Sequence, residues 1–192
     1  MPEMFVALMH YPVVNKNGSI IASAVTNLDL HDIARAAKTY GVISFYVVTP
    51  LEDQQKLIKE LLSHWTTDAG ENRNKIRGEA LELVKIAGNL GEVKADIKQQ
   101  TGREPETVVT SARRHERSIS FDTLRQYLKE GDPYVLLFGT AWGFTDQFIS
   151  EASHVLYPIM ADSRYNHLSV RSAVSVVLDR LKGDYRGSYA DN

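Results

Sequence analysis

Three short stretches in the C-terminal third combine residue types that ligand chemistry uses. Gly139-Thr140-Ala141-Trp142-Gly143 follows an apolar run, Tyr134–Phe138, and its two glycines let a backbone approach a ligand closely. A plain strand-to-helix turn has the same two glycines. Tyr157-Pro158-Ile159 closes a second apolar run. Tyr165-Asn166-His167-Leu168-Ser169-Val170-Arg171-Ser172 is polar and leads into a helical pattern. Asn166 and Ser169 are both helix-capping types, and Arg171 taken alone reads as a solvated charge. A further constellation near the N-terminus holds His10, Asn15, Asn17, Asn27, Asp29, His31, Asp32 and Arg35. His31 and Arg35 are four apart, so they share a helical face.

Several chemistries are excluded or disfavoured at once. There is no cysteine, hence no thiolate nucleophile and no thiolate metal site. The His and Asp residues show no H-E-x-x-H or H-x-E spacing, so no metal is expected. Neither G-x-G-x-x-G nor a Gly-Lys-Ser/Thr loop occurs, and no G-x-S-x-G elbow supports a serine triad.

The elements that must position these residues follow from apolar spacing. Phe5–Val14, Val42–Thr49, Thr107–Thr110, Tyr134–Phe138 and Val155–Ile159 read as strands, apolar throughout rather than alternating. Helical spacing marks a segment from Asp29, as N-cap, to Gly41, a second with Glu52 and Asp53 in its first turn, and others near 76–87, 121–129 and 170–181. Thr66–Asn74 is polar and reads as a loop. Strands alternating with helices predict an α/β domain, a mostly parallel sheet with helices on both faces, over residues 1–192. The stretch 66–117 is set apart as an unplaced helical and basic insertion.

The net charge is −2 among 22 basic and 24 acidic residues, which by itself points to no nucleic acid. Residues 71–117 are mildly basic, and their densest cluster is Arg113, Arg114, His115 and Arg117. Those arginines are candidates for RNA phosphates, with an exposed polar loop as the even alternative. No apolar run approaches the roughly 18–20 residues of a membrane span, and no secretory signal is legible at the N-terminus. A soluble, cytoplasmic protein is expected.

Taken in order, Leu136–Gly143, Leu156–Ile159 and Tyr165–Ala173 resemble the cofactor-binding half of the SPOUT superfamily, the α/β-knot RNA methyltransferases. Thr26–Val42 resembles the first SpoU-type motif: an asparagine, an arginine within a helix, then a glycine before a strand. The combined pattern is similar to a small bacterial group of S-adenosyl-L-methionine (SAM)-dependent RNA methyltransferases. Two departures are visible. The glycine loop lacks the usual glutamate, and the third motif has a longer asparagine-to-serine spacing, Asn166 to Ser169.

The resemblance implies a C-terminal trefoil knot, a SAM cofactor, a tRNA or rRNA substrate and a homodimer, whose contact the apolar faces of the first and last helices could supply, with packing into the core as their equally good use. It places SAM among Leu137, Phe138, Gly139, Thr140, Gly143, Tyr157, Pro158, Ile159, Asn166, His167, Leu168, Ser169 and Ser172. It assigns Arg35 to the reaction, with Asn27 positioning it, and the acceptor to a ribose 2′-hydroxyl or a base. Arginine is permanently protonated, so Arg35 would steady developing oxyanion charge rather than remove a proton. His10 and His31, near-neutral titrators, are the fallback bases. A knotted RNA-binding factor without catalysis, and an unrelated nucleotide-binding α/β enzyme, are the alternatives.

Overall fold

The computed structural model describes residues 3–67, 78–163 and 165–184. Nine strands and six helices of the described residues carry the argument. They run β1 (Met4–Met9), β2 (Val13–Val14), β3 (Ile20–Ile21), α1 (Asn27–Thr39), β4 (Phe45–Val48), α2 (Glu52–Thr67), β5 (Val84–Ala87), α3 (Leu90–Thr101), β6 (Glu106–Val109), β7 (Ser118–Ile119), α4 (Phe121–Glu130), β8 (Tyr134–Gly139), α5 (Asp146–Glu151), β9 (His154–Leu156) and α6 (Val170–Lys182). Seven strands form one sheet in the order β5-β4-β1-β8-β6-β9-β7, every pairing parallel. β2 and β3 make a separate antiparallel hairpin.

Parallel strands need both faces covered, and β1 is buried at all six positions. Met4, Val6 and Leu8 join a core with Leu30, Ile33, Ala34 and Ala37 of α1, Ile58 of α2, Leu124 and Leu128 of α4, and Val174, Val177, Leu178 and Leu181 of α6. Phe5, Ala7 and Met9 face the other way, onto Val93 and Ile97 of α3 and Ile149 of α5. Helices therefore cover both faces, as the sequence predicts. No described helix is long and apolar enough to cross a membrane.

Several boundaries differ from the sequence reading. The first strand stops at Met9 rather than Val14, because Val13 and Val14 leave the sheet to pair with β3 in the separate hairpin. The N-cap of α1 is Thr26, whose Oγ1 accepts from the Asp29 backbone N–H at 3.2 Å, so Asp29 lies in the first turn. Thr66 and Thr67 extend α2, and the rest of the expected 66–74 loop lies outside the described residues.

The largest correction concerns the middle of the chain. Val84–Ala87, expected as helix, is strand β5 paired with β4 in the register Phe45↔Val84 to Val48↔Ala87. The unread helix α3 begins at an Asn89 cap whose side chain accepts from the Glu92 N–H at 3.0 Å, while Glu92 accepts from the Gly88 N–H at 2.7 Å. Segment 84–109 thus supplies two strands and a helix to the central architecture.

Candidate functional site

The parallel strands point their carboxyl ends to one edge, where open α/β sheets bind ligands. There a cavity of about 1270 Å³ opens among the glycine loop after β8, the segment after β9 and the loop before α6. Ligand sites commonly span about 300–1,000 Å³, so this crevice is large enough for a nucleoside-sized group and part of a second molecule.

Ten of the expected cofactor residues line it: Phe138, Gly139, Thr140, Gly143, Tyr157, Ile159, Asn166, His167, Leu168 and Ser169. Three do not. Leu137 is buried, and its carbonyl accepts from the Thr110 N–H and hydroxyl. Pro158 is buried beside the wall. Ser172 serves helix α6, giving its N–H to the Ser169 cap at 3.3 Å.

The glycine loop is held from several directions. Val14 of β2 exchanges two backbone bonds with it, its N–H to the Gly143 carbonyl at 2.9 Å and its carbonyl from the Trp142 N–H at 3.1 Å. Gly143 closes a turn onto the Thr140 carbonyl at 2.9 Å. Its φ of +88° is left-handed, and nothing lies within 4 Å of where a Cβ would stand. The backbone face there is open to a ligand.

Behind the loop sits a partly buried polar chain that the sequence analysis missed. Thr140 Oγ1 donates to the Met9 carbonyl at 3.1 Å, so its proton is taken and it accepts from the Ser23 hydroxyl. Ser23 Oγ must then accept from His10 Nδ1, 2.9 Å away, which fixes the Nδ1–H tautomer. Nε2 is left as a buried lone pair without a partner. Burial pushes the His10 pKa down to about 4, opposed in part by the Asp29 charge. His10 is therefore a neutral loop support and no base near neutrality, contrary to expectation. His31 is half-buried, its ring edge-on to Trp65 at 4.8 Å.

Arg171 is the second correction. Instead of a solvated charge it bridges α6 to α1, with one guanidinium nitrogen 3.0 Å from Asp29 Oδ1 and Nε 3.3 Å from Asp32. Asp29 is 5% exposed, and both it and Arg171 line the cavity. Asn27 and Arg35, by contrast, are exposed on α1 and outside the cavity wall. Of the two uses expected for the apolar faces of α1 and α6, dimer contact or core packing, the core takes them.

The three arginines of the basic cluster part company. Arg113 lines the cavity and meets Asp146 only at 3.6 Å, both exposed. Arg114 donates to the Tyr157 hydroxyl at 2.8 Å and lies over that ring. Arg117 donates to the carbonyls of Ile149, Ser150 and Ala152, closing the C-terminus of α5. Its guanidinium is structural. Among the described residues no group of His, Asp and Glu is placed to hold a metal.

A parallel sheet with a large crevice at its carboxyl edge, walled by glycine-rich and capping loops, defines an α/β binder of nucleoside-like ligands. Residues 3–183 match the SAM-dependent RNA methyltransferase family, and the chain belongs to that family. It is 43% identical over 182 residues to a tRNA (guanine-N(1)-)-methyltransferase of Oleidesulfovibrio alaskensis, covering 95% of this chain and 42% of that one. The chain thus spans less than half of that relative.

Among solved structures, a probable methylase family protein from Haemophilus influenzae Rd KW20 superposes with a TM-score of 0.61 at 16% identity, covering 100% of this chain and 72% of that one. The SpoU methyltransferase AviRb from Streptomyces viridochromogenes, solved with AdoMet, gives 0.55 at 16%, covering 94% and 57%. These likenesses establish the shared fold. The cofactor of the family is SAM, and the open backbone at Gly143 and the size of the crevice fit it.

Proposed function

We propose that this chain transfers a methyl group from SAM to tRNA or rRNA. The observation that carries the reading is the cavity itself: all three loops of the SPOUT resemblance line it, in a chain matched to the family over residues 3–183. When bound there, SAM supplies a methyl carbon activated by its sulfonium. The chain's residues do the rest. Backbone groups of Gly139, Thr140 and Gly143, with Ile159, Leu168 and Ser169, would hold the adenosine, while Thr140 is fixed by Ser23 and Met9.

Arg35 is proposed to orient substrate phosphate and steady developing oxyanion charge, with Asn27 beside it at the start of α1. The exposure of both fits a contact completed by RNA or by a second copy of the chain. A homodimer is part of the proposal. Since the helix faces are used in the core, the contact falls to exposed apolar residues, of which Leu28, Met160 and Tyr165 are candidates. A trefoil knot is also proposed, and the strand order supports it. β8 slots between the earlier β1 and β6, and β9 between β6 and β7. The site of action is proposed to be the cytoplasm.

The acceptor is proposed as a ribose 2′-hydroxyl on the strength of the Arg35 motif. The relative's name favours a second reading, a ring nitrogen of guanine. Nucleoside mass spectrometry of RNA from cells with and without the gene separates them. Loss of one 2′-O-methyl nucleoside supports the first, and loss of a base-methylated nucleoside the second. Identical nucleoside profiles would contradict methyl transfer altogether.

A further inference from the structure

Trp142 has no use so far, yet it is the most unusual side chain at the crevice. It is 70% exposed, among the largest apolar exposures of the described residues, and it borders the cavity. An indole left in water forfeits a large hydrophobic gain, so its presentation calls for an explanation. The backbone beneath it is rigid: the Trp142 N–H is bonded to Val14, and Gly143 closes onto Thr140. Ala141, just before it, has φ +51°, a left-handed conformation that a residue with a Cβ adopts at some cost. The backbone beneath the exposed indole is therefore held by hydrogen bonds next to a left-handed Ala141.

The same rim carries cations. Lys16, exposed on the β2–β3 hairpin, borders the cavity and has no carboxylate partner among the described residues. Arg113 borders it too, with only the long, exposed contact to Asp146. Inside, Asp29 is matched by Arg171. A flat aromatic face that shares a cavity rim with two cations suits an unpaired nucleotide, its base stacked and its phosphates held.

We propose that Trp142 is the stacking platform for an unpaired nucleobase of the substrate RNA at the mouth of the crevice, with Lys16 and Arg113 taking the adjoining phosphates. This rests on the reading of the chain as an RNA methyltransferase and adds the conformation of its substrate, a single-stranded or flipped-out nucleotide rather than a duplex. It also gives a role to the glycine loop where the SpoU-like glutamate is missing.

The test uses wild type, Trp142→Phe and Trp142→Ala, with total RNA from cells lacking the gene as methyl acceptor. It also uses single-stranded and duplex oligoribonucleotides as fluorescence probes in a Trp65→Phe background. Stacking lost on truncation predicts kcat/KM for RNA down about tenfold to a hundredfold in Trp142→Ala, with most of it kept in Trp142→Phe. SAM affinity, by calorimetry, stays within about twofold. Single-stranded RNA quenches the Trp142 emission more than duplex does. An Ala variant with undiminished kcat/KM and no quenching overturns the proposal while methyl transfer stands. Loss of SAM affinity would move Trp142 to the cofactor wall, and a smaller sedimenting species would assign its cover to a second copy; either overturns it. Should wild type transfer no methyl while single strands still quench, the enzymatic reading fails and the platform survives.

Discussion

The two walls of the crevice are built on different terms. The loop wall is closed within one chain. Val14, Met9, Ser23 and His10 all bond toward Gly139–Gly143, and Ser169 caps the helix that carries the third loop. The α1 side is split: Asp29 is buried in the cavity wall and paired with Arg171, whereas Asn27, two residues before it, and Arg35, six after it, face solvent outside that wall. A surface already satisfied is suited to a ligand that must bind in a fixed pose. A surface with a cation that has no carboxylate partner among the described residues is suited to a partner that arrives. On the proposed reading, the difference means that the cofactor half of the site is built within one chain and the substrate half is not.

That contrast can be broken by substitution. The largest effect is expected at Arg35, since removing a cation that steadies transition-state charge lowers rates about a hundredfold or more. Arg35→Ala is expected to lose that much kcat for RNA methylation, measured by label transfer from SAM. An unchanged kcat would remove the α1 wall from the chemistry.

Next comes the loop wall under acid. His10 has a folded pKa of about 4, below the ordinary 6.5, so the unfolded chain binds more protons between those values. Its contribution is present above pH 6.5 and is lost as pH falls toward 4, by up to about 3 kcal/mol. Urea denaturation at several pH values should show that slope, and His10→Gln should flatten it relative to wild type. Equal slopes would mean that His10 is not held neutral.

The link between the walls is tested by Asp29→Asn, which leaves the Arg171 guanidinium facing only exposed Asp32. Breaking a fully buried pair costs more, but Arg171 is one-third exposed, so about 2 kcal/mol is expected. In a chain of this size that is a Tm lower by roughly 4–8 °C in a calorimetric scan. The smallest effect is on the loop itself. Gly143→Val puts a β-branched side chain at φ +88° and on the open face, and SAM affinity should fall about tenfold.

Much of this was legible beforehand, for a physical reason. α1, α4 and α6 each bury one stripe at helical spacing, while β1 and β8 are apolar on both faces, and such strong patterns survive tertiary context. β5 was misread because Leu83, Val84 and Ala87 also fit a helical stripe; pairing with β4 decided it, and pairing is not local. α3 was hidden by Gly91 in its first turn, although Asn89 and Glu92 at capping-box spacing were a signal for it. At the site, loop positions were readable as motifs. Arg171 was not, since its partners lie 139 and 142 residues away on α1, and the His10–Ser23–Thr140 chain likewise joins residues far apart in the sequence.

The claim that the cofactor half stands alone is tested most directly by calorimetric titration of SAM into wild type and Arg35→Ala. The account predicts one SAM per chain in both, with affinities equal within about threefold. A wild type that binds no SAM, or an Arg35→Ala variant that loses it, would contradict that claim.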